Sequence, residues 1–540
     1  MKTVAYWTRT GAEPVFDPAG FLPLIAAIRN PLHIVFDPVA RAPGLAADGV
    51  ISSGQPEESF ASYPLLGSLP ALYPEWLGDR SFQECHAVRF AYVGGDMARG
   101  ISSGEMVINL ARSGMLGFFG SAGVPLDRVE REIAGLKAAL DPQGLSWGVN
   151  LIHQPGDPAA EQETVELFLR SGVRRMSASA FMGITPGLVR FACRGLRLDS
   201  TGRIQRRHHL FAKISRPEVA RGFLEPAPPD MLGRLVASGA LSSREAELAR
   251  GIPLAGDITV EADSGGHTDN RPLPVLFPVV ANLRQRIAAQ YGYANPPRLG
   301  AAGGLGTPDA VAAAFCLGAG YVLVGTAHQA CVESGLSREG KDLLFGAAMT
   351  DVAMTPSADM FELGGKVQVL KRGTMMAVRA NELRRIYMRY GALGEISEET
   401  RARIERTIFR MPLERVWEET KAYFAQTDPA QIRKAAADEK YRMALVFRWY
   451  LGKSSAWAVA GQPGRSLDYQ IWCGPAIGSF NAWVQGSFLE SRENRRVSQV
   501  ALNLMEGAAI VTRAHQLRTY GVPVPAALFS YKPVPLSAEA

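Results

Sequence analysis

A short run of polar residues and glycines, Glu261–Pro272, carries the strongest chemical signal in this sequence. Within it, His267 directly follows Ser264, Gly265 and Gly266. An imidazole titrates near neutral pH, so it can donate a proton or a hydrogen bond to a carbonyl group, and the preceding glycines allow the turn that presents it. The alternative is a structural histidine that bonds to a neighbouring backbone carbonyl. The position of His267 in the fold distinguishes a functional role from a structural one.

Two glycine-rich segments are typical of phosphate binding. Gly303 and Gly304 lie between an apolar run and a helical pattern, while Gly325 and Thr326 follow a second apolar run. Glycines let backbone N–H groups approach phosphate oxygens, and the N-terminus of a following helix adds a positive dipole. No G-x-G-x-x-G sequence follows a predicted strand, so a dinucleotide domain is not indicated. The phosphate is therefore predicted to belong to flavin mononucleotide (FMN) or a similar cofactor.

Two further polar residues end apolar runs. Asn150 could hydrogen-bond the edge of an isoalloxazine ring, and Lys213 could stabilise negative charge near flavin N1. Alternatively, Asn150 and Lys213 are ordinary polar residues at strand ends that contact no ligand. No metal site is predicted, because four histidines lack partners at metal-ligand spacing: His153, His208, His209 and His328.

An alternation of strands and helices must bring these residues together. It begins at Ala87, and its eight predicted strands are Val88–Val93, Met115–Phe119, Trp147–Leu151, Arg174–Ala178, Leu210–Ile214, Ile258–Ala262, Arg298–Ala301 and Tyr321–Val324. Eight such units in roughly 250 residues predict a closed (β/α)8 TIM barrel within the α/β class. Its active site would lie at the carboxyl ends of the strands, with phosphate-binding loops after strands seven and eight. An open, doubly wound sheet is the alternative architecture.

The strand pattern stops after Thr355, and helical spacing takes over. The chain is therefore predicted to have three parts: a small N-terminal α+β segment (1–85) with no assigned chemistry, an FMN-binding barrel (86–354) and a mainly α-helical subdomain (355–540). The subdomain is expected on the catalytic face, with its last helix returning to the barrel wall. Its predicted helices are Ala380–Tyr390, Glu398–Arg410, Leu413–Ala425, Ala430–Tyr450 and Arg495–Tyr520.

Composition and charge exclude several classes of protein. The 540 residues are 47% hydrophobic and contain five scattered cysteines, which indicates a large core in a reduced, cytoplasmic protein. No targeting or membrane-spanning segment is recognisable. From Thr355 onward, 26 Lys and Arg oppose 18 Asp and Glu, within a net charge of +6. The basic part favours an acidic partner, whereas no dense basic run with interleaved aromatics supports nucleic-acid binding.

The motifs described above resemble those of a known family. The barrel motifs resemble the nitronate monooxygenase and enoyl reductase superfamily of flavin barrels. Nearly the whole chain from Val88 resembles PfaD-type, trans-acting enoyl reductases of polyketide and polyunsaturated fatty acid synthases. The specific runs are Glu261–Pro272, Lys366–Met376, Ala444–Gly452 and Asp468–Asn481.

This resemblance implies bound FMN, NADPH as reductant and an acyl carrier protein that delivers a 2-enoyl thioester. Hydride would pass from NADPH through the flavin to the β-carbon, and a proton would complete the α-carbon. His267 matches the active-site histidine of the superfamily, as an acid, a carbonyl polariser or a pyrophosphate contact. The implied flavin contacts are Gly94, Gly95, Asn150, Lys213, Gly265, Gly266, Gly303, Gly304, Gly325 and Thr326.

The helical subdomain is expected to line the substrate entrance. Its basic residues would meet the carrier, and Arg448 lies on an aromatic-rich helix of this part. Two other functions stay open: a nitronate monooxygenase-like flavin oxidase, which would not need the helical extension, and a non-catalytic component of a synthase. Intact glycine loops together with Asn150, Lys213 and His267 argue against the non-catalytic alternative.

Overall fold

The N-terminal segment is a small antiparallel sheet with one helix packed on it. The computed structural model describes residues 5–54, 61–154 and 156–537. The first elements are β1 (Tyr6–Thr8), α1 (Phe21–Ala26), β2 (Leu32–Asp37), β3 (Ala42–Ala46), β4 (Val50–Ser52), β5 (Ser62–Leu69) and α2 (Arg80–His86). The five strands have the order β3-β2-β5-β1-β4, which agrees with the predicted α+β segment.

A closed parallel barrel follows. The next strands are β6 (Tyr92–Gly94), β7 (Leu116–Phe119), β8 (Trp147–Ile152), β9 (Arg175–Ser179), β10 (Arg197–Leu198), β11 (Ile204–Gln205), β12 (His209–Ile214), β13 (Asp257–Glu261), β14 (Gly266–His267), β15 (Arg298–Ala302) and β16 (Tyr321–Val324). Eight of them close the barrel in the order β12-β13-β15-β16-β6-β7-β8-β9, which confirms the predicted TIM barrel. In the sequence these strands are short apolar runs, because helices cover the outside of a parallel barrel and bury both faces of each strand.

Helices cover the barrel after its strands. They are α3 (Gly104–Arg112), α4 (Leu126–Leu140), α5 (Pro158–Arg170), α6 (Pro186–Cys193), α7 (Pro217–Leu224), α8 (Pro229–Ala237), α9 (Ser243–Ala249), α10 (Leu273–Tyr291), α11 (Pro308–Cys316), α12 (Thr326–Gln329) and α13 (Arg338–Phe345). Side chains cap several of these helices, as when Ser103 accepts from the N–H of Met106 and Thr307 from that of Ala310. Such caps satisfy backbone donors exposed at the start of a helix and so fix where each helix begins.

The C-terminal part is mainly helical and has its own core. After two strands, β17 (Val352–Pro356) and β18 (Lys366–Leu370), come α14 (Met376–Arg389), α15 (Glu398–Ile404), α16 (Leu413–Thr427), α17 (Pro429–Ala437), α18 (Glu439–Ala460), α19 (Ala476–Val484) and α20 (Val497–Thr519). Buried aromatic residues, among them Phe361, Phe409 and Phe447, form a hydrophobic cluster between these elements. Among the described residues, no helix combines the length and apolar character that crossing a bilayer requires.

Three predicted elements were wrong in detail. Strand pairing continues past Thr355, because β18 pairs with both β17 and β14. The helix predicted over 430–450 is broken at Asp438, whose extended backbone and side-chain acceptor start a new helix, α18. The first barrel strand begins at Tyr92 rather than Val88. Helix α2 ends at Ala87, whose backbone is left-handed, and the residues that follow Ala87 connect this helix to the strand.

The last helix, α20, packs on the barrel wall. It packs against α11 and α3, the helices on either side of the junction between β16 and β6. The buried guanidinium of Arg513 on α20 donates to the carbonyl groups of Ala27, Asn30 and Pro70, which ties the N-terminal segment to the barrel. Residues 330–496 therefore form an insertion between the last barrel strand and the helix that completes the barrel.

We predict that the close approach of α20 to α11 depends on Gly507. A Cβ atom at Gly507 would lie 2.7 Å from Pro308 and 2.5 Å from Tyr531, so Gly507→Ala should lower the free energy of unfolding by about 1–3 kcal/mol. Gly135→Ala is the matched control, because its added methyl on helix α4 meets no atom within 4 Å. Denaturant unfolding measures both. Equal midpoints for the two variants would contradict the tight contact.

Candidate active site

Nearly all the predicted site residues line one cavity at the carboxyl ends of the barrel strands. Its lining includes Gly95, Asn150, Lys213, Gly265, Gly266, His267, Gly303, Gly304, Gly325 and Thr326. Gly94 does not line this cavity. Its Cα faces the helix layer instead, where a Cβ would overlap the side chain of Leu110. The cavity therefore brings together strand ends and loops that lie far apart along the chain.

A buried carboxylate, Asp96, forms the polar centre of the cavity. Its Oδ2 accepts from Asn150 Nδ2 at 2.8 Å and from Ser179 Oγ at 3.1 Å, and also from Ser177 Oγ. Its Oδ1 accepts from Lys213 Nζ at 2.9 Å. Asp96 follows β6, whereas the four donors lie on β8, β9 and β12. One side chain therefore joins the ends of four barrel strands.

Lys213 is a paired cation at this centre. Its ammonium lies 2.9 Å from Asp96 and 3.1 Å from Glu261. Burial alone would lower the pKa of Lys213, but the two carboxylates raise that pKa above its ordinary value. Burial alone would raise the pKa of Asp96, but Lys213 and the hydrogen bond from Ser177 hold that pKa below its ordinary value. Both groups are therefore charged at neutral pH, and with Glu261 the cluster carries a net negative charge.

The glycine loops present backbone and orphan polar atoms to the cavity. Gly304 has a left-handed φ of 76°, and a Cβ built there meets no atom within 4 Å, so a side chain would enter the open space. Among the described residues, no acceptor takes a hydrogen bond from the N–H of Gly304 or Gly325. Ser264 Oγ and Gln329 Oε1, which belong to lining residues, are buried and have no hydrogen-bond partner within the described part of the chain. This side of the cavity thus offers unused donors and acceptors to a ligand.

A segment of the insertion, residues 469–476, lies against these loops. Trp472 and Ala476 line the cavity, and the Trp472 carbonyl accepts from Gln329 Nε2. The N–H of Gly474 donates to Thr326 Oγ1 at 3.3 Å. Gly265 packs directly on this segment, because a Cβ there would lie 2.6 Å from the Cα of Cys473. The insertion therefore supplies part of the cavity wall.

His267 forms an ion pair with a second residue of the insertion. Its Nε2 lies 3.0 Å from the carboxylate of Asp359, which belongs to the connection between β17 and β18. Strand β14, which carries His267, pairs with β18, so the same hairpin positions both partners. Burial alone would lower the pKa of His267, but the hydrogen bond and charge of Asp359 raise that pKa above its ordinary value. His267 therefore holds its proton to a higher pH than a free imidazole.

A cluster at the opposite end of the barrel has potential metal ligands. Ligand atoms of Cys85, His86 and His209 lie within 4.8 Å of one another. The guanidinium of Arg298 lies 3.4 Å from Cys85 Sγ and 3.3 Å from His86 Nε2. His86 also lies 3.1 Å from the carboxylate of Asp257. A fixed guanidinium in contact with the ligand atoms opposes a metal cation there, and we assign the cluster a structural role.

The sequence analysis missed four residues of the site: Asp96, Glu261, Asp359 and Trp472. Asp96 directly follows the predicted Gly94 and Gly95, and Glu261 begins the run that contains His267, so the strand-end argument that found Asn150 applies to both. Trp472 lies within one of the family runs. Asp359 lacked such a signal, because its partner is 92 residues away.

Comparisons with known proteins cover most of the chain. A solved structure described as the enoyl reductase domain of MlnA, from the macrolactin biosynthesis cluster of Bacillus amyloliquefaciens, is 38% identical. Its TM-score is 0.79, and the match covers 82% of this chain and 99% of that domain. The profile of a family described as acyl-carrier-protein S-malonyltransferase, inserted helical domain, matches residues 390–469.

Two curated proteins show similar identity over part of their length. The polyketide biosynthesis protein PksE of Bacillus subtilis is 42% identical over 446 residues, which are 83% of this chain and 58% of PksE. A component of the polyunsaturated fatty acid synthase of Thraustochytrium is 44% identical over 449 residues, which are 82% of this chain and 30% of that component. The chain thus spans between 30% and 58% of the length of these two relatives.

We predict that loss of the Asp96 carboxylate weakens the whole barrel mouth. Asp96→Asn should lower the free energy of unfolding by roughly 3 kcal/mol, since a buried cation loses one of its two anions. Because folding lowers the pKa of Asp96, its stabilising contribution is present at neutral pH and disappears as the pH falls. The difference between the variant and wild type should therefore shrink in acid.

Asp127→Asn is the control, because Asp127 pairs with Arg131 on an exposed helix surface. Urea unfolding at neutral and acid pH measures both variants. If the two variants have the same midpoint at neutral pH, Asp96 is not the stabilising centre described above.

Proposed function

Because the chain belongs to the family of trans-acting enoyl reductases of polyketide and polyunsaturated fatty acid synthases, we propose that it reduces 2-enoyl thioesters carried by an acyl carrier protein. The observation that carries this proposal is the 38% identity to an enoyl reductase domain that the chain covers almost completely. The cavity adds support, because it combines phosphate-type loops, an Asp96–Lys213 centre and a protonatable histidine.

The residues of the cavity fit FMN, and we propose residues 86–354 as its binding domain. Gly303, Gly304, Gly325 and Thr326 would hold the phosphate through backbone N–H groups and a hydroxyl. The orphan atoms Ser264 Oγ and Gln329 Oε1 offer further hydrogen bonds. Asn150 and Lys213 would serve the isoalloxazine ring, and Gly95, Gly265 and Gly266 would flank it. When bound, FMN would transfer a hydride from NADPH to the β-carbon of the enoyl thioester.

The chain's own residues determine the electrostatics around that cofactor. Lys213 lies between two carboxylates, so it offers directed N–H bonds without a net positive charge. Asp96 orients the side chains of Asn150 and Lys213 together and so fixes both before a ligand arrives, although Asn150 Nδ2 is itself occupied by Asp96 and Ser179. Such preorganised polar groups need little rearrangement when charge develops on a bound group.

His267 is proposed to supply the proton of the reaction. Reduction of the double bond adds a hydride at the β-carbon and a proton at the α-carbon, so each turnover consumes one proton besides NADPH. The pair with Asp359 raises the pKa of His267 and so favours its protonated form, which suits either donation of that proton or a hydrogen bond to the thioester carbonyl. Asp359 acts through His267 and is a positioning residue.

The insertion is proposed to receive the acyl carrier protein. Residues 390–469 match a helical domain described for an acyl-carrier-protein transferase family. The chain carries 26 Lys and Arg against 18 Asp and Glu from Thr355 onward, and carrier proteins are acidic. Opposite charges steer the encounter of the two proteins and accelerate association. On this basis we propose that, of the predicted subdomain 355–540, residues 355–496 receive the substrate and carrier, since α20 belongs to the barrel wall.

We predict that a side chain at Gly304 displaces the cofactor. Gly304→Val should purify with little flavin, because its side chain enters the cavity where backbone must approach phosphate. Gly239→Val is matched in backbone strain, with a φ of 73° and no atom within 4 Å of its Cβ, and it lies far from the cavity in the turn after α8. The ratio of flavin absorbance to protein absorbance measures retention. Full flavin in Gly304→Val, or equal loss in both variants, would contradict the phosphate assignment.

We predict that His267 and Asp359 act in the half-reaction in which reduced flavin reduces the enoyl thioester, and not in the reduction of flavin by NADPH. His267→Ala should slow enoyl reduction by roughly 10²–10⁴-fold while the reduction of bound flavin by NADPH changes far less. The raised pKa of His267 predicts that enoyl reduction falls as the pH rises through that pKa. Asp359→Asn should shift this fall to lower pH, because the protonated imidazole loses its anionic partner. Stopped-flow measurements of both half-reactions across pH provide the test.

An equal loss in both half-reactions would place His267 at a site that the two substrates share. An unchanged pH profile in Asp359→Asn would show that the ion pair does not set the protonation of His267.

A further inference from the structure

His267 lies where three cavities meet. It lines the cofactor cavity described above and two larger ones on either side of the β17–β18 connection. Residues 357–359 of that connection face one of these, and Met360 with residues 363–366 faces the other. The His267–Asp359 pair therefore lies at the boundary between two routes to the cofactor cavity.

The first route, which we call the aromatic cavity, encloses about 710 Å³ between the barrel and helices α16 and α18. Tyr423, Phe424, Tyr441, Leu451 and Trp472 contribute apolar surface to it. Such a lining suits an extended hydrocarbon chain, since burial of each methylene contributes about 0.8 kcal/mol. Arg448 also lines this cavity, but it is half-buried and paired with Glu362 at 3.0 Å, so it is not a free surface cation.

The second route, which we call the basic cavity, encloses about 620 Å³ between the ends of β9, β12 and β13 and the β17–β18 connection. Lys213, Arg216 and Lys366 lie along it, together with Met182 and Met360. A lining of mixed amphipathic and hydrogen-bonding groups suits the amide-containing pantetheine arm better than it suits a hydrocarbon chain.

The mouths of the two cavities differ in charge. Three carboxylates, Asp157, Glu163 and Asp428, and one arginine, Arg99, lie along the aromatic cavity without an ion-pair partner among the described residues, so negative charge is in excess there. At the basic cavity, Arg216 is neutralised by Asp269, whereas Lys366 is exposed and forms no ion pair with a described residue. An acidic protein is therefore repelled at the first mouth and attracted at the second.

The surface beside the basic mouth extends along helix α14. Arg384 of that helix donates to the carbonyl of Phe361 at 2.7 Å, which joins α14 to the β17–β18 connection. Arg385 and Met388 lie next to Arg384 on the exposed side of the helix, and Leu363 of the connection is 84% exposed. Exposed cations interleaved with exposed apolar side chains form a surface suited to an acidic, amphipathic partner.

We infer that the enoyl thioester lies across His267, with its acyl chain in the aromatic cavity and its pantetheine arm in the basic cavity, and that the acidic carrier docks on Lys366, Arg385, Leu363 and Met388. This inference rests on the proposed function, since it names the binding mode of the proposed substrate. It places the thioester carbonyl, the central group of the linear substrate, at the histidine where the cavities meet.

Substitutions on α14 test the docking surface. The double variant Arg385→Glu/Met388→Glu adds negative charge there and should lose at least about tenfold in kcat/KM for a carrier-bound enoyl thioester, because it replaces attraction by repulsion. Neither residue lines the basic cavity, so the variant should reduce the same enoyl group on free pantetheine at the wild-type rate. Arg433→Glu is the matched control, an exposed arginine on a different helix, α17, and should leave both rates unchanged. Added salt should slow only the carrier-bound substrate in wild type.

Chain length tests the aromatic cavity. Gly452 lies within α18 and lines this cavity, and a Cβ there meets no atom within 4 Å. Gly452→Phe should therefore reduce kcat/KM for a long-chain enoyl pantetheine thioester while sparing the four-carbon one. Gly233→Phe, also in a helix and with open space at its Cβ, is the control for folding.

The outcomes separate this inference from the proposed function. If wild type reduces no enoyl thioester, the proposed function fails and the inference fails with it. If wild type is active but the Arg385→Glu/Met388→Glu variant slows both substrates equally, or Arg433→Glu is the selective variant, the docking surface is overturned. If Gly452→Phe slows short and long chains alike, the placement of the acyl chain is overturned.

Discussion

A single buried carboxylate, Asp96, joins the elements on which the candidate site depends. It accepts hydrogen bonds from residues on β8, β9 and β12 while itself following β6, so four strand ends share one anion. A buried carboxylate is stable only when it is well paired, and its partners here include Lys213 and Asn150. The same bonds that stabilise the barrel mouth therefore orient the polar side chains proposed to face the cofactor. Stability and preorganisation come from the same contacts.

The insertion between β16 and α20 completes the site rather than merely covering it. Its β17–β18 hairpin pairs with β14 and brings Asp359 to His267, and its segment 469–476 closes on the glycine loops. A barrel alone would leave His267 without its anionic partner. The proposed specificity for a carrier-bound thioester and the protonation of His267 are thus both properties of the inserted part.

Local pattern predicted the barrel and most of the lining well, because buried parallel strands are apolar runs and their carboxyl ends meet at one place. Asn150, Lys213, His267 and the glycine loops were found by that reasoning. It could not find β18, whose partner β14 is a two-residue strand about a hundred positions earlier. It also could not find the His267–Asp359 pair, since only tertiary packing brings the two side chains together. Gly94, which the family resemblance includes among the flavin contacts, is not part of the cavity lining, and its Cα faces Leu110.

The central claim is that this cavity reduces an enoyl thioester through a bound flavin, and anaerobic flavin spectroscopy tests it most directly. The purified protein should absorb near 450 nm, as bound oxidised flavin does, and NADPH should bleach that band. Addition of a carrier-bound 2-enoyl thioester without oxygen should then restore the band and yield the saturated thioester. A bleached protein that only oxygen reoxidises, or a protein without the band, would contradict the account.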